Sequence, residues 1–232
     1  MRLFVTGTGT GVGKTTVACA LVRGARSVGL RACGVKPIET GCAPDNIGER
    51  PADALALAGA SAVDELVNEC VYRFTPAVAP GVAARDAGVT IDLDLIRARI
   101  EGLSSRFPDL IVVEGAGGLL VPLSGRGTVA DLATCLGAAI VVVGHAGLGT
   151  INHTLMTLEV ARHRHLQVVG FVLSCERPDL DPRFVERNRG EIEDAAGIGC
   201  LGVIPHLDPR DSAVVSLHGR RILDSLPRAA VL

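Results

Sequence analysis

The sequence predicts an α/β protein, a three-layer sandwich in which a mainly parallel sheet is flanked by helices. Short β-branched runs alternate with helical patterns along the whole chain. These runs are apolar almost throughout, which is typical of parallel strands buried on both faces. The chain has 232 residues, of which 48% are hydrophobic, and no linker or internal repeat divides it. Residues 1–232 are therefore expected to form one domain.

The predicted elements follow one another in a regular order. The apolar run at 3–5 leads into a glycine-rich loop and then into a helical pattern that ends near Gly29. Further apolar runs predict strands at 32–35, 110–113, 139–143, 168–173 and 201–204. Helical spacing of apolar residues predicts helices at 52–60, 92–103, 152–165 and 182–195. The segment 40–92 holds several prolines and is the least regular, so it is expected to be an insertion over the active face.

Composition excludes several classes of function. The net charge of −2 argues against binding to nucleic acid or to a membrane surface through bulk positive charge. Aromatic residues are only 3% and Trp is absent, so platforms for base stacking are not expected. The seven cysteines are scattered and form no C-x-x-C pair, which indicates reduced thiols. The apolar runs are too short for a signal sequence or a membrane span, and the protein is expected to be soluble and cytoplasmic.

A phosphate-binding loop is predicted between the first strand and the first helix. Residues 6–16 read Thr-Gly-Thr-Gly-Thr-Gly-Val-Gly-Lys-Thr-Thr. The glycines let backbone N–H groups turn toward one anion, and the following helix presents its positive N-terminus. Lys14 can then reach the terminal phosphates, and the Thr15 hydroxyl can bind Mg²⁺. The predicted nucleotide contacts in this loop are Gly11, Val12, Gly13, Lys14, Thr15 and Thr16.

The loop differs from the general phosphate-loop pattern at its first glycine. That pattern places a glycine at position 8, where this chain has Thr8 and its glycine one residue earlier, at Gly7. A glycine-rich turn that only begins a helix is one alternative, and a dinucleotide-binding loop is another. A Lys-Thr pair suits a triphosphate with a metal better than a dinucleotide. The predicted fold class is therefore that of the P-loop NTPases.

Lysine is rare in this chain. Only Lys14 and Lys36 are lysine among 23 basic residues, and the others are arginine. Lys36 ends the second predicted strand, at the edge where open α/β sheets bind ligands. Its compact ammonium is suited to neutralising charge on a transferring phosphoryl or carboxyl group. The alternative is a solvated lysine at a strand end.

Two carboxylates are predicted to join this site. Glu114 ends a strand where the acidic residue of P-loop NTPases lies. Asp53 is the only acid in an apolar helical stretch, and its alternative role is a favourable charge at a helix N-terminus. Thr15, Asp53 and Glu114 together offer the hard oxygen ligands that Mg²⁺ prefers. The residues that follow Glu114 allow close approach of a nucleotide to the backbone: Gly115, Ala116 and Gly117.

Five motifs are distributed over nearly the whole chain. They are Gly-Thr-x-Thr-x-Val-Gly-Lys-Thr at 7–15, Lys-Pro-x-x-Thr-Gly at 36–41, Asp-Ala-Leu at 53–55, Val-Glu-Gly-Ala-Gly-Gly at 113–118 and Leu-Gly-Thr-Ile-Asn-His at 148–153. Together they resemble the dethiobiotin synthetase family of biotin biosynthesis. They follow the family's order over nearly the whole chain, and the early first glycine is also the family's. The resemblance implies a ligase that uses MgATP and CO₂ to carboxylate 7,8-diaminononanoate and close the ureido ring of dethiobiotin, releasing ADP and phosphate.

The resemblance also implies roles for single residues. Lys14 and Thr15 would hold the β- and γ-phosphates and Mg²⁺, and Lys36 would stabilise the carbamate and the phosphoryl transfer. The implied catalytic residues are Lys36, Lys14 and Thr10. The implied metal ligands are Thr15, Asp53 and Glu114, and the implied contacts to the diamine end are Thr10, Lys36 and Thr40.

The stretch 148–153 begins a helix whose free N–H groups could bind the substrate carboxylate. In the family this helix start is presented to the partner subunit's site, so the resemblance implies a homodimer. Gly149, Thr150 and Asn152 would then contact the substrate. The residues themselves leave an alternative open, in which Thr150 or Asn152 only caps the helix.

The sequence departs from the family at the nucleotide base. Family members often have an Asn-Asp pair after the strand at 168–173, whereas this chain has Ser174-Cys175. A hydroxyl reads a base less selectively than an amide, which donates and accepts at once. Preference for ATP over other nucleoside triphosphates is therefore left open. Ile204, Pro205 and His206 keep the family's loop, whose backbone can contact the base.

Rival functions share parts of this pattern. ATPases of the partitioning and septum-site families act as nucleotide-dependent dimerisation switches, but they carry an additional lysine early in the loop and 7–13 contain none. Amidoligases that make cobyrinate-type diamides need a glutaminase domain, for which the roughly thirty residues after Leu201 are too few. A nucleotide-binding module without chemistry is the third alternative, which Lys36 disfavours.

Overall fold

A computed structural model of the protein describes residues 1–45, 48–207 and 211–227. The strands are β1 (Arg2–Gly7), β2 (Ala32–Val35), β3 (Ile38–Thr40), β4 (Ala43–Asp45), β5 (Gly48–Arg50), β6 (Tyr72–Phe74), β7 (Leu110–Glu114), β8 (Ala139–His145), β9 (Val168–Ser174) and β10 (Cys200–Ile204). The helices are α1 (Lys14–Ser27), α2 (Ala52–Ser61), α3 (Pro80–Asp86), α4 (Leu93–Gly102), α5 (Val129–Cys135), α6 (Thr150–His163), α7 (Pro182–Ala196) and α8 (Ser212–Asp224). Strands and helices alternate from β7 onward, whereas four strands follow one another between α1 and α2.

Six strands form one sheet in the order β10, β9, β8, β1, β7 and β2, and every neighbouring pair is parallel. The register shows which strands end at the same level of the sheet. Val5 of β1 pairs with Glu114 of β7, and Val35 of β2 pairs with Val113 of β7. The segments that follow β1, β2 and β7 therefore begin side by side at one edge of the sheet.

Helices cover both faces of this sheet, as the apolar strands predict. Leu3 and Val5 of β1 pack on the side of α1 and α8, whereas Phe4 packs on the side of α4 to α7. The two helices of the first side cross very closely, because Gly219 of α8 lies against the backbone of Ala20 in α1 and leaves no room for a Cβ atom. Within the described ranges, no helix is long and apolar enough to cross a membrane.

The segment from 40 to 92 contains short regular elements around helix α2. Strands β3 and β6 form a parallel pair, and β4 and β5 form an antiparallel hairpin whose residues 46–47 lie outside the described part of the chain. A 3₁₀ helix follows α2 at Asp64–Glu69, and α3 follows β6. Helix α2 buries Leu57 against Gly34 of β2, which fixes the start of α2 beside the carboxyl edge of the main sheet.

Candidate active site

A cavity of about 610 Å³ lies at the carboxyl edge of the sheet, between the phosphate loop and the segment that follows β2. Most of the residues predicted for the site line this one cavity. They are Thr10, Gly11, Gly13, Lys14, Thr15, Thr16, Lys36, Thr40, Asp53, Glu114, Ala116 and Gly117. The opposite wall is apolar and comes from 77–80 and Val121.

The phosphate loop is held in shape by glycine and by Lys14. Gly13 is the N-cap of α1 with φ of 92°, a left-handed conformation, and no side chain caps the helix there. A Cβ atom at Gly13 would overlap the side chain of Ser174, so the position also requires glycine for space. The buried Lys14 donates from Nζ to the carbonyl oxygen of Gly9 at 2.7 Å. Helix α1 therefore presents free N–H groups to the cavity, beside a buried ammonium.

Lys36 joins the two predicted carboxylates. Its Nζ donates to Oε1 of Glu114 at 2.8 Å and also to Oδ2 of Asp53. The hydroxyl of Thr15 donates to the same Glu114 oxygen at 2.9 Å. Lys36 is only 7% exposed, so the alternative of a solvated lysine at a strand end is wrong. Asp53 lies in the first turn of α2, so its helix-terminal charge and its ion pair with Lys36 coexist.

Burial and pairing shift the pKa values of these groups in different directions. Burial would lower the pKa of Lys36, but the charges of Glu114 and Asp53 outweigh burial, and the pKa lies above its ordinary value. At Lys14 burial prevails over the opposing charge of Glu114, and the pKa lies below its ordinary value. Burial raises the pKa of the Glu114 carboxyl against the opposing effect of Lys36. Lys36 is thus a stable point cation, and Lys14 is the ammonium that deprotonates first as pH rises.

The site has hard oxygen donors that fit Mg²⁺. Oε2 of Glu114 is buried and has no hydrogen-bond partner among the described residues, so it is free to accept a cation. The Thr15 hydroxyl is hydrogen-bonded to the other oxygen of Glu114, and the partly exposed Asp53 carboxylate is paired with Lys36, which also pairs with Glu114. No cluster of three or more His, Cys, Asp or Glu side chains suited to a metal occurs in 1–45, 48–207 and 211–227. Such a donor set matches Mg²⁺, which keeps waters and is shared with nucleotide phosphates, better than a closed protein cage.

Glu39 belongs to the site although the sequence interpretation overlooked it. This buried residue of β3 accepts from the backbone N–H of Asp53 and of Ala54, both at 3.0 Å. It therefore holds the first turn of α2, which carries Asp53. The residue before that turn is Pro51, whose side chain cannot accept a hydrogen bond. A helix that begins after such a residue needs an acceptor from another element, and this is the feature of the sequence that points to Glu39.

The residues predicted for the nucleotide base lie outside this cavity. Ser174 is buried against Gly13, whereas Ile204 is part of the core. A second cavity of about 350 Å³ is lined in part by Cys175, Pro205 and His206. Two other predicted contacts are also buried: Val12 packs in the core, and Gly115 lies against the ring of Phe4.

The start of α6 presents free backbone N–H groups, as the sequence predicts, and its N-cap is a glycine. Gly149, with φ of 92°, is the N-cap, and no side chain caps the helix. The hydroxyl of the buried Thr150 lies 3.4 Å from that of Thr154, and the amide of Asn152 donates to the Met156 sulfur. The alternative in which Thr150 or Asn152 caps α6 is therefore wrong.

Comparison with known proteins gives one family across nearly the whole chain. A family model described as an AAA domain matches residues 1–213. The ATP-dependent dethiobiotin synthetase BioD of Anaeromyxobacter dehalogenans (strain 2CP-C) is 48% identical over 191 residues, covering 82% of this chain and 83% of that protein. The protein of the same name from Pseudomonas aeruginosa (strain UCBPP-PA14) is 38% identical over 218 residues, covering 93% and 94%.

Solved structures share the fold at much lower identity. The MinD cell division protein of Aquifex aeolicus has a TM-score of 0.54 and 14% identity, covering 99% of this chain and 92% of that one. A ParA family ATPase from Chlorobium tepidum TLS has a TM-score of 0.52 and 14% identity, covering 99% and 93%. Likeness at this identity shows the fold alone: it confirms the predicted P-loop NTPase-like three-layer sandwich and does not support a switch function.

Proposed function

The chain belongs to the ATP-dependent dethiobiotin synthetase family, and we propose that the cavity around Lys14 and Lys36 is where it carries out that reaction. In this reaction one amine of 7,8-diaminononanoate takes up CO₂ and loses a proton, giving a carbamate. A carbamate oxygen attacks the γ-phosphorus of ATP and ADP leaves. The neighbouring amine then attacks the carbamoyl carbon, phosphate leaves, and the ureido ring closes. The observation that carries the assignment is the convergence of both lysines, Glu114 and Asp53 on one cavity.

The phosphate loop would bind the triphosphate. The uncapped N–H groups of α1 and the ammonium of Lys14 face the cavity, where Lys14 can exchange its bond to Gly9 for phosphate oxygens. Mg²⁺, when bound to Thr15, Asp53 and Glu114, would supply charge neutralisation to the phosphates. The free Oε2 of Glu114 supports this assignment.

Lys36 would stabilise the negative charge that forms between carbamate and phosphate. Its raised pKa keeps it protonated, and its burial makes each interaction stronger than in water. Thr10 and Thr40 line the same cavity and would bind the diamine end through their hydroxyl groups. These hydroxyls can accept from an amine and can also donate to a carbamate oxygen.

The nucleotide base would lie beyond Gly13, toward Ser174, Cys175 and the 204–206 loop. Ser174 contacts the phosphate loop directly, which supports this direction. Because Ser174 offers a hydroxyl rather than an amide, we expect CTP and GTP to compete with ATP to a measurable extent. Competition measured in the phosphate-release assay tests this expectation.

A homodimer would complete the substrate site. The free N–H groups at Gly149 and Thr150 would bind the substrate carboxylate in the partner's site, with Asn152 beside them. Large apolar side chains near this helix support a protein contact, because Leu148 is 89% exposed and Met156 is 59% exposed. We also infer a cytoplasmic location, which the free thiols of all seven cysteines support.

Phosphate release from MgATP tests the proposal. Release should require both 7,8-diaminononanoate and bicarbonate, and mass spectrometry should find dethiobiotin in the same reaction. Omission of either substrate is the control. Equal phosphate release without the diamine would contradict the assignment of this reaction to the cavity.

A further inference from the structure

Helix α2 begins without a local cap. Its N-cap is Pro51, whose extended backbone has φ of −83° and ψ of 99°, and no side chain from this stretch accepts from the first turn. Glu39 supplies the missing acceptor from another element. Its Oε1 accepts from the N–H of Asp53 and its Oε2 from the N–H of Ala54, so each carboxylate oxygen takes one backbone donor at 3.0 Å. A carboxylate at a helix N-terminus also interacts favourably with the helix dipole.

We propose that Glu39 is a positioning residue of the synthetase, which acts by holding the first turn of α2 so that the Asp53 carboxylate stays at the metal site. The proposal rests on the role of Asp53 as a metal ligand in the proposed function. Nothing in this role requires Glu39 to touch a substrate.

The connectivity explains why this contact controls the site. Lys36 lies two residues before β3, and Glu39 is in β3 itself. The stretch 36–39 therefore contacts the start of α2 twice. The Lys36 ammonium donates to the Asp53 carboxylate, and the Glu39 carboxylate accepts from the Asp53 backbone N–H. The Asp53 side chain is 39% exposed, so packing alone does not fix it. Without Glu39 the first turn would lose two hydrogen bonds and could rotate Asp53 away.

The surroundings of Glu39 also favour this role. The residue is 4% exposed, which is a costly place for a carboxylate that only stabilises a surface helix. Burial raises the pKa of Glu39, and the two backbone donors and Lys36 oppose that rise. A buried carboxylate at Glu39 fits a role in which each of its two oxygens accepts a backbone N–H of α2. Residues that orient metal ligands in this way commonly change metal affinity when they are mutated.

The experiment compares ADP binding with and without Mg²⁺. Calorimetry gives the dissociation constant of ADP in each condition, and their ratio is the gain due to the metal. Glu39→Ala should reduce this gain about tenfold, while ADP binding in EDTA stays near that of the wild type. Glu39→Gln, which keeps one acceptor oxygen, should lie between the two. The matched control is Asp92→Ala, because Asp92 caps α4 by accepting from two backbone N–H groups at a position outside the cavity. Asp92→Ala should leave the gain unchanged.

Two further variants keep the proposal open to refutation. Asp53→Asn should lose the Mg²⁺ gain; if Asp53→Asn keeps it, the metal role of Asp53 in the proposed function is wrong. If Asp53→Asn loses the gain and folded Glu39→Ala keeps it, the positioning role is wrong. Pro51→Ser supplies a local cap, so Glu39→Ala combined with Pro51→Ser should recover both folding and the gain. A folded double variant that still lacks the gain would overturn the claim that Glu39 acts through the turn.

Discussion

Replacement of Lys36 tests the chemistry most directly. Lys36→Arg keeps a positive charge, but the guanidinium is wider than the ammonium that sits 2.8 Å from Glu114 in a site where Lys36 is only 7% exposed. The charge must therefore move by on the order of 1 Å, and such a displacement commonly lowers a rate about 10²-fold. We expect kcat to fall by that factor, with a change in KM for ATP of a few-fold at most.

Lys36→Met separates the charge from its position. This variant leaves Glu114, whose side chain is 1% exposed, without its cation. Breaking a buried ion pair costs about 3–5 kcal/mol, and the lower end applies here because Asp53 is 39% exposed and can turn to water. Glu114 already has a raised pKa, and the loss of Lys36 raises it further. A carboxyl whose pKa is higher in the folded than in the unfolded protein contributes stability below its unfolded pKa, and this contribution is lost as the pH rises through the folded pKa. The destabilisation by Lys36→Met should therefore be larger at pH 8 than at pH 5.

Initial rates of phosphate release at saturating diamine and bicarbonate measure the loss of kcat in Lys36→Arg. Urea unfolding at pH 5 and pH 8 measures the loss of stability in Lys36→Met. Arg99→Lys is the matched control, because Arg99 pairs with Glu69 outside the cavity and both variants exchange the two basic residue types. Wild-type kcat in Lys36→Arg would remove Lys36 from the chemistry. A stability loss that does not change with pH would refute the charge argument for Glu114.

Three other predictions concern separate parts of the molecule. Gly13→Ala should raise KM for ATP about tenfold, because Gly13 has φ of 92° and its Cβ would overlap Ser174; unchanged KM would show that the loop tolerates a side chain. Met156→Glu should convert the proposed dimer to monomers in sedimentation velocity, since it places a charge in the proposed contact, and an intact dimer would place the contact elsewhere. Iodoacetamide at pH 8 should alkylate the half-buried Cys135 before Cys33, because burial raises the pKa of Cys33 to about 12; mass spectrometry of peptides gives the order, and the reverse order would contradict the buried position of Cys33.

The main strands and the carboxyl edge could be predicted because both depend on local pattern. A continuous apolar run such as that of β8 indicates burial on both faces, and a polar residue at its end marks the ligand edge. The convergence of Lys36 and Glu114 follows from this reasoning once β2 and β7 are neighbours. The pairing of β2 with β7 depends on the order of strands in the sheet, and a local sequence pattern does not predict that order.

The contacts around α2 could not be predicted for the same reason. Glu39 and Asp53 are separated in sequence by a hairpin and by Pro51, so their hydrogen bond exists only after β3 and α2 have packed together. Strand β3 is three residues long, too short to show a periodic pattern. The capping alternative at α6 is wrong because Gly149 takes the N-cap through its left-handed backbone, although Thr and Asn are the more common capping residues.

The burial of both lysines has a practical consequence for chemical labelling. Lys14 is 6% exposed and Lys36 is 7% exposed, and every other basic side chain that could compete on the surface is an arginine or a histidine. The two side-chain amines that an amine-selective acylating reagent can meet therefore both lie in the cavity proposed to bind the nucleotide. Lys36 is held protonated by its raised pKa, so acylation would take place at Lys14, and intact mass would then report occupancy of that cavity.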